Sequence, residues 1–396
     1  MEELEGVVVA GGGPVGLLTA LVLARAGIRV TVLEAEAEIV ESPRAIVYHS
    51  PTVAVLDRLG LLDDARERGI LKQDYQYRRP DGTVIARMDM SVIAGDTDHP
   101  YNLHLGQHLL AALTLEHLER TGLGDMRFGN RVVSVSQDTE RVAVAVETPG
   151  GPGELRTRWL VGADGARSAV REALGLGFEG MTWPERFVAV NIHYDFEAHG
   201  FARANFVLDP DAWAIVPILD RDGLWRVAYG EDAALPERTV ADRLPDRLAR
   251  LLPGSEPYEV ARLAPYRVHQ RAASSFRCGR VLLAGDAAHA TNPCGGLGLT
   301  SGLLDADHLG EALAAVILGH ADGAALDEYA EERRRIFWEV TSPTASENKR
   351  RLTERDPARR KADLERLRRI DADSEFQREV LLFPEQLKSR PYSFAT

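Results

Sequence analysis

The chain has 396 residues, 45% hydrophobic and 27% charged, and its 47 Lys and Arg against 60 Asp and Glu give a formal charge of −13. That length has room for two or three structural units and a substantial core, and the acidic balance argues against general nucleic-acid binding, which needs a net basic surface. The Met1-Glu2-Glu3-Leu4-Glu5 start lacks the features of a secretory leader, the longest apolar runs are interrupted by Arg or Gly, and Cys278 and Cys294 alone make neither a disulfide framework nor a zinc site, so a cytoplasmic protein without a membrane span or metal is expected.

Residues 4–34 read as strand, glycine turn, helix and strand. Val7-Val8-Val9-Ala10 is an apolar strand, and Gly11, Gly13 and Gly16 then fit G-x-G-x-x-G. Gly11 allows the tight turn, Gly13 lets the backbone approach a pyrophosphate, and Gly16 lets the following helix pack close on the strand. Pro14 suits the first helical turn, where a missing N–H matters little, and Gly27 stands where the helix should stop. The helix N-terminus presents free N–H groups and a positive dipole end to phosphates. Glu34 ends the second strand, where a carboxylate can accept hydrogen bonds from ribose hydroxyls. The unit is read as a dinucleotide site.

Further along, Ser50 to Gly60 has the pattern of a capped amphipathic helix with Pro51 at its start. Residues 74–90 alternate around Pro80-Asp81-Gly82, a hairpin signal. A helix opens at Leu105-Gly106-Gln107 and runs to about Arg120; 131–147 reads as a β-hairpin and 155–161 as one strand. Between 180 and 268, four strand-like runs (187–194, 204–208, 213–217 and 225–229) suggest an inserted antiparallel sheet. Residues 280–319 return to strand, glycine loop and helix, with the helix placed at 300–315. From 324 to about 387 the pattern is helical. Within it, 349–369 holds ten Lys and Arg against four Asp and Glu, read as a solvated face.

Two further motifs carry chemistry. One is Leu160-Val161-Gly162-Ala163-Asp164-Gly165-Ala166-Arg167-Ser168. The other runs Val281-Leu282-Leu283-Ala284-Gly285-Asp286-Ala287-Ala288-His289 and continues at Pro293-Cys294-Gly295-Gly296-Leu297-Gly298-Leu299. Asp286 follows an apolar strand, so its carboxylate sits where it can hold ribityl or ribose hydroxyls. The loop at 295–298 leads into a helix whose free N–H groups can face an electron-rich ligand edge, as oriented donors do in an oxyanion hole. Together with the first glycine motif, these segments resemble the single-component FAD-dependent aromatic hydroxylases, the para-hydroxybenzoate hydroxylase family, over roughly residues 5–330.

The resemblance implies an α/β fold: a Rossmann-like FAD-binding domain (1–73, 102–180 and 270–325), a substrate-binding β-sheet domain (74–101 and 181–269), and C-terminal helices (326–396). It implies FAD as cofactor, NADPH or NADH and O2 as co-substrates, and a small aromatic substrate, in a monomer or homodimer. Asp164 and Gly165 carry the family's double role toward FAD and nicotinamide, with Arg167 as a helper. Arg44 matches a position near the phosphates, and Gln107 a glutamine that touches the cofactor. The correspondence extends to Pro14, Val15, Ala35, Val133, Gly296, Gly298 and Leu299. Relatives carry Asn where Thr300 and His308 stand here; the Thr300 hydroxyl is expected to donate near the flavin instead.

The implied reaction is hydroxylation of a phenol through a C4a-hydroperoxyflavin, the flavin carrying the hard chemistry while the protein holds the ring and excludes water. A proton acceptor for the phenol is useful; His193, His269 and Tyr229 are candidates by type and region. Pro293 and Gly295 should border the substrate. Trp213, Ile215 and Pro217, on alternate strand positions, line the pocket if that face points at the flavin. Cys294 is read as a small filler. Competing readings are a flavin oxygenase of a large polyketide-type ring or drug, a flavin halogenase, for which Lys72 lacks the sequence context, and a flavin-binding redox sensor.

Overall fold

Four short apolar runs, Val7–Ala10, Val30–Leu33, Trp159–Gly162 and Val281–Leu283, are buried along their whole length. Continuous apolar strands of this kind belong in parallel sheets covered on both faces, and here they pair in parallel with Gly124–Arg127 as a fifth partner. The computed structural model describes residues 1–41 and 45–392. Its six-stranded sheet has the order 277–278, 281–283, 159–162, 7–10, 30–33, 124–127. Helix Pro14–Arg25, with Pro14 in its first turn, packs against helix Leu297–Leu318. The two backbones approach because two glycines face the contact. A Cβ on Gly310 would stand 2.5 Å from Val22 Cγ1, and one on Gly302 would stand 3.0 Å from Val15 Cγ2.

A second sheet of eight strands has the order 289–290, 259–273, 178–193, 224–232, 214–217, 204–207, 74–78, 84–89. The hairpin 74–89 enters it through a parallel pairing with Ala204–Val207. Alternation divides the faces. Val188, Val190, Ile192, Val216, Val227 and Tyr229 form a core with Val240, Leu244, Leu248 and Leu251 of the amphipathic helix Val240–Leu251. The intervening residues Ala189, Ile215, Arg226 and Ala228 face a cavity on the other side. Smaller sheets pair 131–137, 142–148 and 151–157, and 47–48, 102–104 and 70–72. The C-terminal region folds as helices Ala324–Ile336, Ser342–Thr353, Pro357–Ala372 and Ser374–Leu381. No helix among the described residues is long and apolar enough to cross a membrane.

Several local expectations change. The single strand expected at 155–161 is two: alternating Gly151–Thr157 stays in the small sheet, and fully buried Trp159–Gly162 enters the large one. Strand Glu259–Ala273 is long, interspersed with charged residues and interrupted by Pro265, which hides it from pattern reading; it pairs along 178–193. The helix placed at 300–315 spans Leu297–Leu318. The basic stretch 349–369 is only partly solvated. Lys349 is buried against Glu185 at 2.6 Å, and Arg350 bonds Asp363 at 2.7 Å.

Substituting Gly310→Ala adds helix propensity worth about 1 kcal/mol but drives a methyl into Val22, whose own Cβ would lie 2.7 Å away. Overpacking of about 1–3 kcal/mol should win, so the urea midpoint is expected to fall, with the m-value unchanged.

Candidate active site

The glycine turn is held by contacts that leave no room for side chains. Gly11 has φ +109°, and a Cβ there would meet Ala163 O at 2.3 Å; a Cβ on Gly16 would meet Gly11 O at 2.0 Å. Gly13 differs, with open space beyond it, which is where an approaching phosphate needs it. Glu34 accepts from Gly12 N at 2.7 Å and Glu36 N at 2.9 Å. Its carboxylate therefore fixes the turn and keeps further lone pairs on each oxygen.

At the end of the neighbouring strand, Asp164 Oδ2 accepts from Val170 N at 3.2 Å. Asp164 Oδ1 is buried with no partner among the described residues. An orphaned buried acceptor costs about 1–3 kcal/mol, and burial raises the Asp164 pKa above the ordinary range. A ligand donor would relieve both. Gly165 beside it also faces open space.

The turn Gly285–Ala287 follows the next strand, with Asp286 exposed at its tip. Below it lies Asp305, fully buried. Its carboxylate accepts from Gly285 N at 3.0 Å, His289 Nε2 at 2.7 Å and Arg333 Nε at 2.6 Å. Burial alone would raise its pKa; His289 and Arg333 hold it below the ordinary carboxylate range. Arg333 also donates to Leu387 O at 2.7 Å and Ser301 O at 3.2 Å.

The loop 293–296 ends at Gly296, φ +68°, which caps helix Leu297–Leu318 in a conformation that favours glycine. His49 Nε2 donates to Gly295 O at 2.8 Å and pins the loop. Burial pushes the His49 pKa down to about 4, so the imidazole is neutral and its proton sits on Nε2. Thr300 Oγ1 turns back to Gly296 O at 3.2 Å, spending its hydroxyl inside the helix rather than on a ligand. Cys294 is buried and burial pushes its thiol up to about 12, as a filler residue would behave.

A cavity of about 780 Å³ opens directly on this loop. Pro293, Gly295, Gly296 and Leu297 form one border. Ile215, Pro217, Ala228 and Phe206 come from the eight-stranded sheet, and Lys72, Asn102 and His104 from the three-stranded one. The C-terminal helices close it with Thr344, Asn348, Arg351, Ile370, Phe376 and Val380. Tyr77 stacks on Phe206 with ring centroids 5.1 Å apart, so much of the wall is aromatic.

The family profile described as FAD binding domain matches residues 5–344. The chain is 53% identical over 393 residues to para-nitrophenol 4-monooxygenase of Pseudomonas sp. (strain WBC-3), covering 98% of both proteins. The chain belongs to the FAD-dependent aromatic hydroxylase family. It is also 42% identical to 6-hydroxy-3-succinoylpyridine 3-monooxygenase HspB of Pseudomonas putida (strain DSM 28022 / S16), over 98% of this chain and 100% of that one. The crystal structure of p-nitrophenol 4-monooxygenase PnpA from Pseudomonas putida DLL-E4 superposes with a TM-score of 0.97 at 52% identity, covering 99% of this chain and 100% of that one. The protein is thus a flavin monooxygenase whose cofactor is FAD and whose co-substrates are O2 and a reduced nicotinamide.

For this hydroxylase the structure brings some expected residues together and sets others apart. Pro293, Gly295, Ile215 and Pro217 share the cavity. Trp213 lies one layer behind it, buried against Phe187 at a centroid distance of 5.2 Å. Tyr229 points to the opposite face of its strand, under Arg247, because Arg226 and Ala228 hold the cavity-facing positions. His193 is exposed at the end of strand Phe178–His193, and His269 bonds Thr182 Oγ1 at 2.9 Å; neither lines the cavity. Val133 is 45% exposed at a bulge. Gln107 starts helix Gln107–Arg120, which packs on helix Pro14–Arg25. Arg44 lies outside the described residues. The residues that sequence reading missed in the cavity are His49, Lys72, Asn102, His104, Arg226 and the C-terminal wall. Strand alternation around 225–229 was the available signal for Arg226; no local signal marked the others.

Asp305→Asn should leave the buried Arg333 without a counter-charge, a loss of about 3–5 kcal/mol, and free the turn bearing Asp286. We expect a lower melting temperature and a lower ratio of flavin to protein absorbance after gel filtration. Asp305→Leu combined with Arg333→Met should recover part of the melting temperature, since no buried charge is then left unpaired.

Proposed function

We propose that the protein hydroxylates a small phenol, using NADH or NADPH and O2, in the cavity beside the loop 293–296. What carries the reading is that this aromatic-lined cavity opens on the same glycine loop that the flavin motif supplies. FAD fits the cradle on its own terms: open space over Gly13 and Gly165, and an orphaned acceptor on Asp164. In this reading Gly11, Gly13, Pro14, Val15 and Gly16 hold the pyrophosphate, Glu34 and Ala35 the ribose, and Asp164, Gly165 and Asp286 the ribityl side. Gly296, Gly298 and Leu299 offer backbone N–H groups to the ring, and Gln107 lies near it. Bound FAD supplies oxygen activation, fed by electrons from the nicotinamide.

The protein's own share is placement. Tyr75, Tyr77 and Phe206 offer faces for an aromatic ring, and Ile215 and Pro217 offer apolar edges. The C-terminal helices cover the cavity and exclude water, which strengthens every polar contact inside. Para-nitrophenol is the first candidate substrate, because the relative of that name aligns over nearly the whole of both chains. Oxygen placed on ring carbon 4 lands on the carbon that carries the nitro group. Counted from the phenolate, the group then leaves as nitrite and the ring as benzoquinone, with one NAD(P)H, one proton and one O2 consumed and one water formed.

Purified holoenzyme should oxidise NAD(P)H several times faster with 4-nitrophenol than without it, releasing one nitrite per nicotinamide. Phenols lacking the nitro group that are turned over should gain one oxygen by mass. Phenols that leave nicotinamide oxidation unchanged, or that yield only hydrogen peroxide, would remove this reading.

A further inference from the structure

One end of the cavity is built from two antiparallel strands, Ile70–Lys72 and Asn102–His104, in which Lys72 stands opposite Asn102. Lys72 is 3% exposed, and its side chain lines the cavity. Among the described residues its Nζ has no hydrogen bond and no ion pair. Its ammonium lies 4.1 Å from the centroid of the Tyr75 ring, a contact that offsets only part of the lost hydration. Asp74, the acid whose charge reaches it, is exposed on the next strand. Among other buried cations, Lys349 pairs with Glu185 and Arg333 with Asp305, while Arg78 and Arg171 donate to the backbone carbonyls of Gly200 and Ala287; Lys72 has neither kind of partner among the described residues.

The groups around Lys72 are also incomplete. Asn102 Oδ1 and His104 Nε2 are buried without partners among the described residues. His104 Nδ1 donates to Ile218 O at 3.0 Å, which leaves Nε2 as a bare acceptor. Burial pushes His104 down to about 3 and His49 down to about 4, so neither imidazole adds positive charge near neutral pH. A buried charge without a partner is destabilising unless something supplies the opposite charge.

We propose that Lys72 anchors the substrate, its ammonium pairing with the ionised ring oxygen of the phenol. The proposal rests on the phenol-hydroxylase reading above and names the group that fixes the ring's polar end. The proton balance closes by either route. A phenolate meets the ammonium, or a neutral phenol gives its proton to a neutral amine; burial lowers the Lys72 pKa to about 7, so both forms are accessible. In each case the bound pair is ammonium and phenolate, with the ring activated toward an electrophilic oxygen.

The test is binding without turnover, on oxidised holoenzyme. 4-Nitrophenol is titrated in parallel with nitrobenzene, which lacks the ionisable oxygen, and the bound nitrophenol is read by its visible band. Wild type should hold it as the yellow phenolate below the pH at which the free compound ionises. Lys72→Met should weaken 4-nitrophenol about 10- to 100-fold, leave nitrobenzene unchanged, and shift the bound spectrum toward the neutral phenol. Ligand-free Lys72→Met should melt no lower than wild type, because an unpaired buried charge is gone; Lys72→Gln provides a second neutral variant. Equal weakening of both rings, no weakening, a variant that melts well below wild type, or wild type binding neutral nitrophenol would each overturn the assignment. Wild type that binds the nitrophenolate yet never oxidises NAD(P)H in response would overturn the hydroxylase reading instead.

Discussion

A single buried carboxylate organises the flavin end of this molecule. Asp305 receives a backbone N–H from the turn bearing Asp286, an imidazole from His289 and a guanidinium from Arg333. Placing an ionised acid where no water reaches is tolerable only because both oxygens meet donors, Oδ2 two and Oδ1 the guanidinium. The arrangement has geometric consequences. It sets the turn at the end of strand Val281–Leu283 relative to helix Leu297–Leu318, on which Asp305 itself sits. Through the other nitrogens of Arg333 it reaches Ser301 and the segment at Leu387. The loop, the long helix and the C-terminal layer are therefore positioned by one ionic cluster.

The active-site cavity shows the same economy of parts. Its border of Pro293 to Leu297 is fixed by His49, which comes from the far side of the glycine turn in sequence and grips Gly295 O. Its floor comes from alternate residues of strands whose other face forms a separate hydrophobic core with helix Val240–Leu251. Its cover comes from helices beyond residue 342. None of these pieces is a site alone. The close approach of the two helices at Gly302 and Gly310 holds the cradle and the loop at one distance, and dense packing transmits that distance to the cavity.

What the sequence made legible was local. Strand–turn–helix units with glycines at fixed offsets can be read because each glycine answers a steric demand confined to a few residues. Gly11, Gly16 and Gly296 are of that kind. Parity was harder. Within 225–229 only Arg226 is polar, a single hint that Ala228 shares its face and Tyr229 does not, and it takes the sheet's partners to decide which face lines the cavity. Strand Glu259–Ala273 was invisible because its charged alternation and Pro265 resemble a loop. Lys72 was considered only against a halogenase context; its burial depends on a strand pairing to residues thirty positions away. The charged helices after 342 look like a solvent-facing surface, and only tertiary contact turns Lys349 and Arg351 inward.

The strand order of the six-stranded sheet has a consequence for how the chain is made. Strand Trp159–Gly162 sits between Val7–Ala10 and Val281–Leu283, so one of its edges stays open until residue 283 has left the ribosome. At about 5–20 residues per second, the roughly 120 residues between strand 159–162 and that moment take about 6 to 24 seconds. Throughout it the nascent protein carries a fully apolar, unpaired parallel edge, the kind of surface that invites association with other chains. The phosphate turn is complete early, whereas the flavin loop and its cover arrive last. Soluble production of this enzyme should therefore be limited less by the stability of the finished fold than by how well the half-made sheet is shielded.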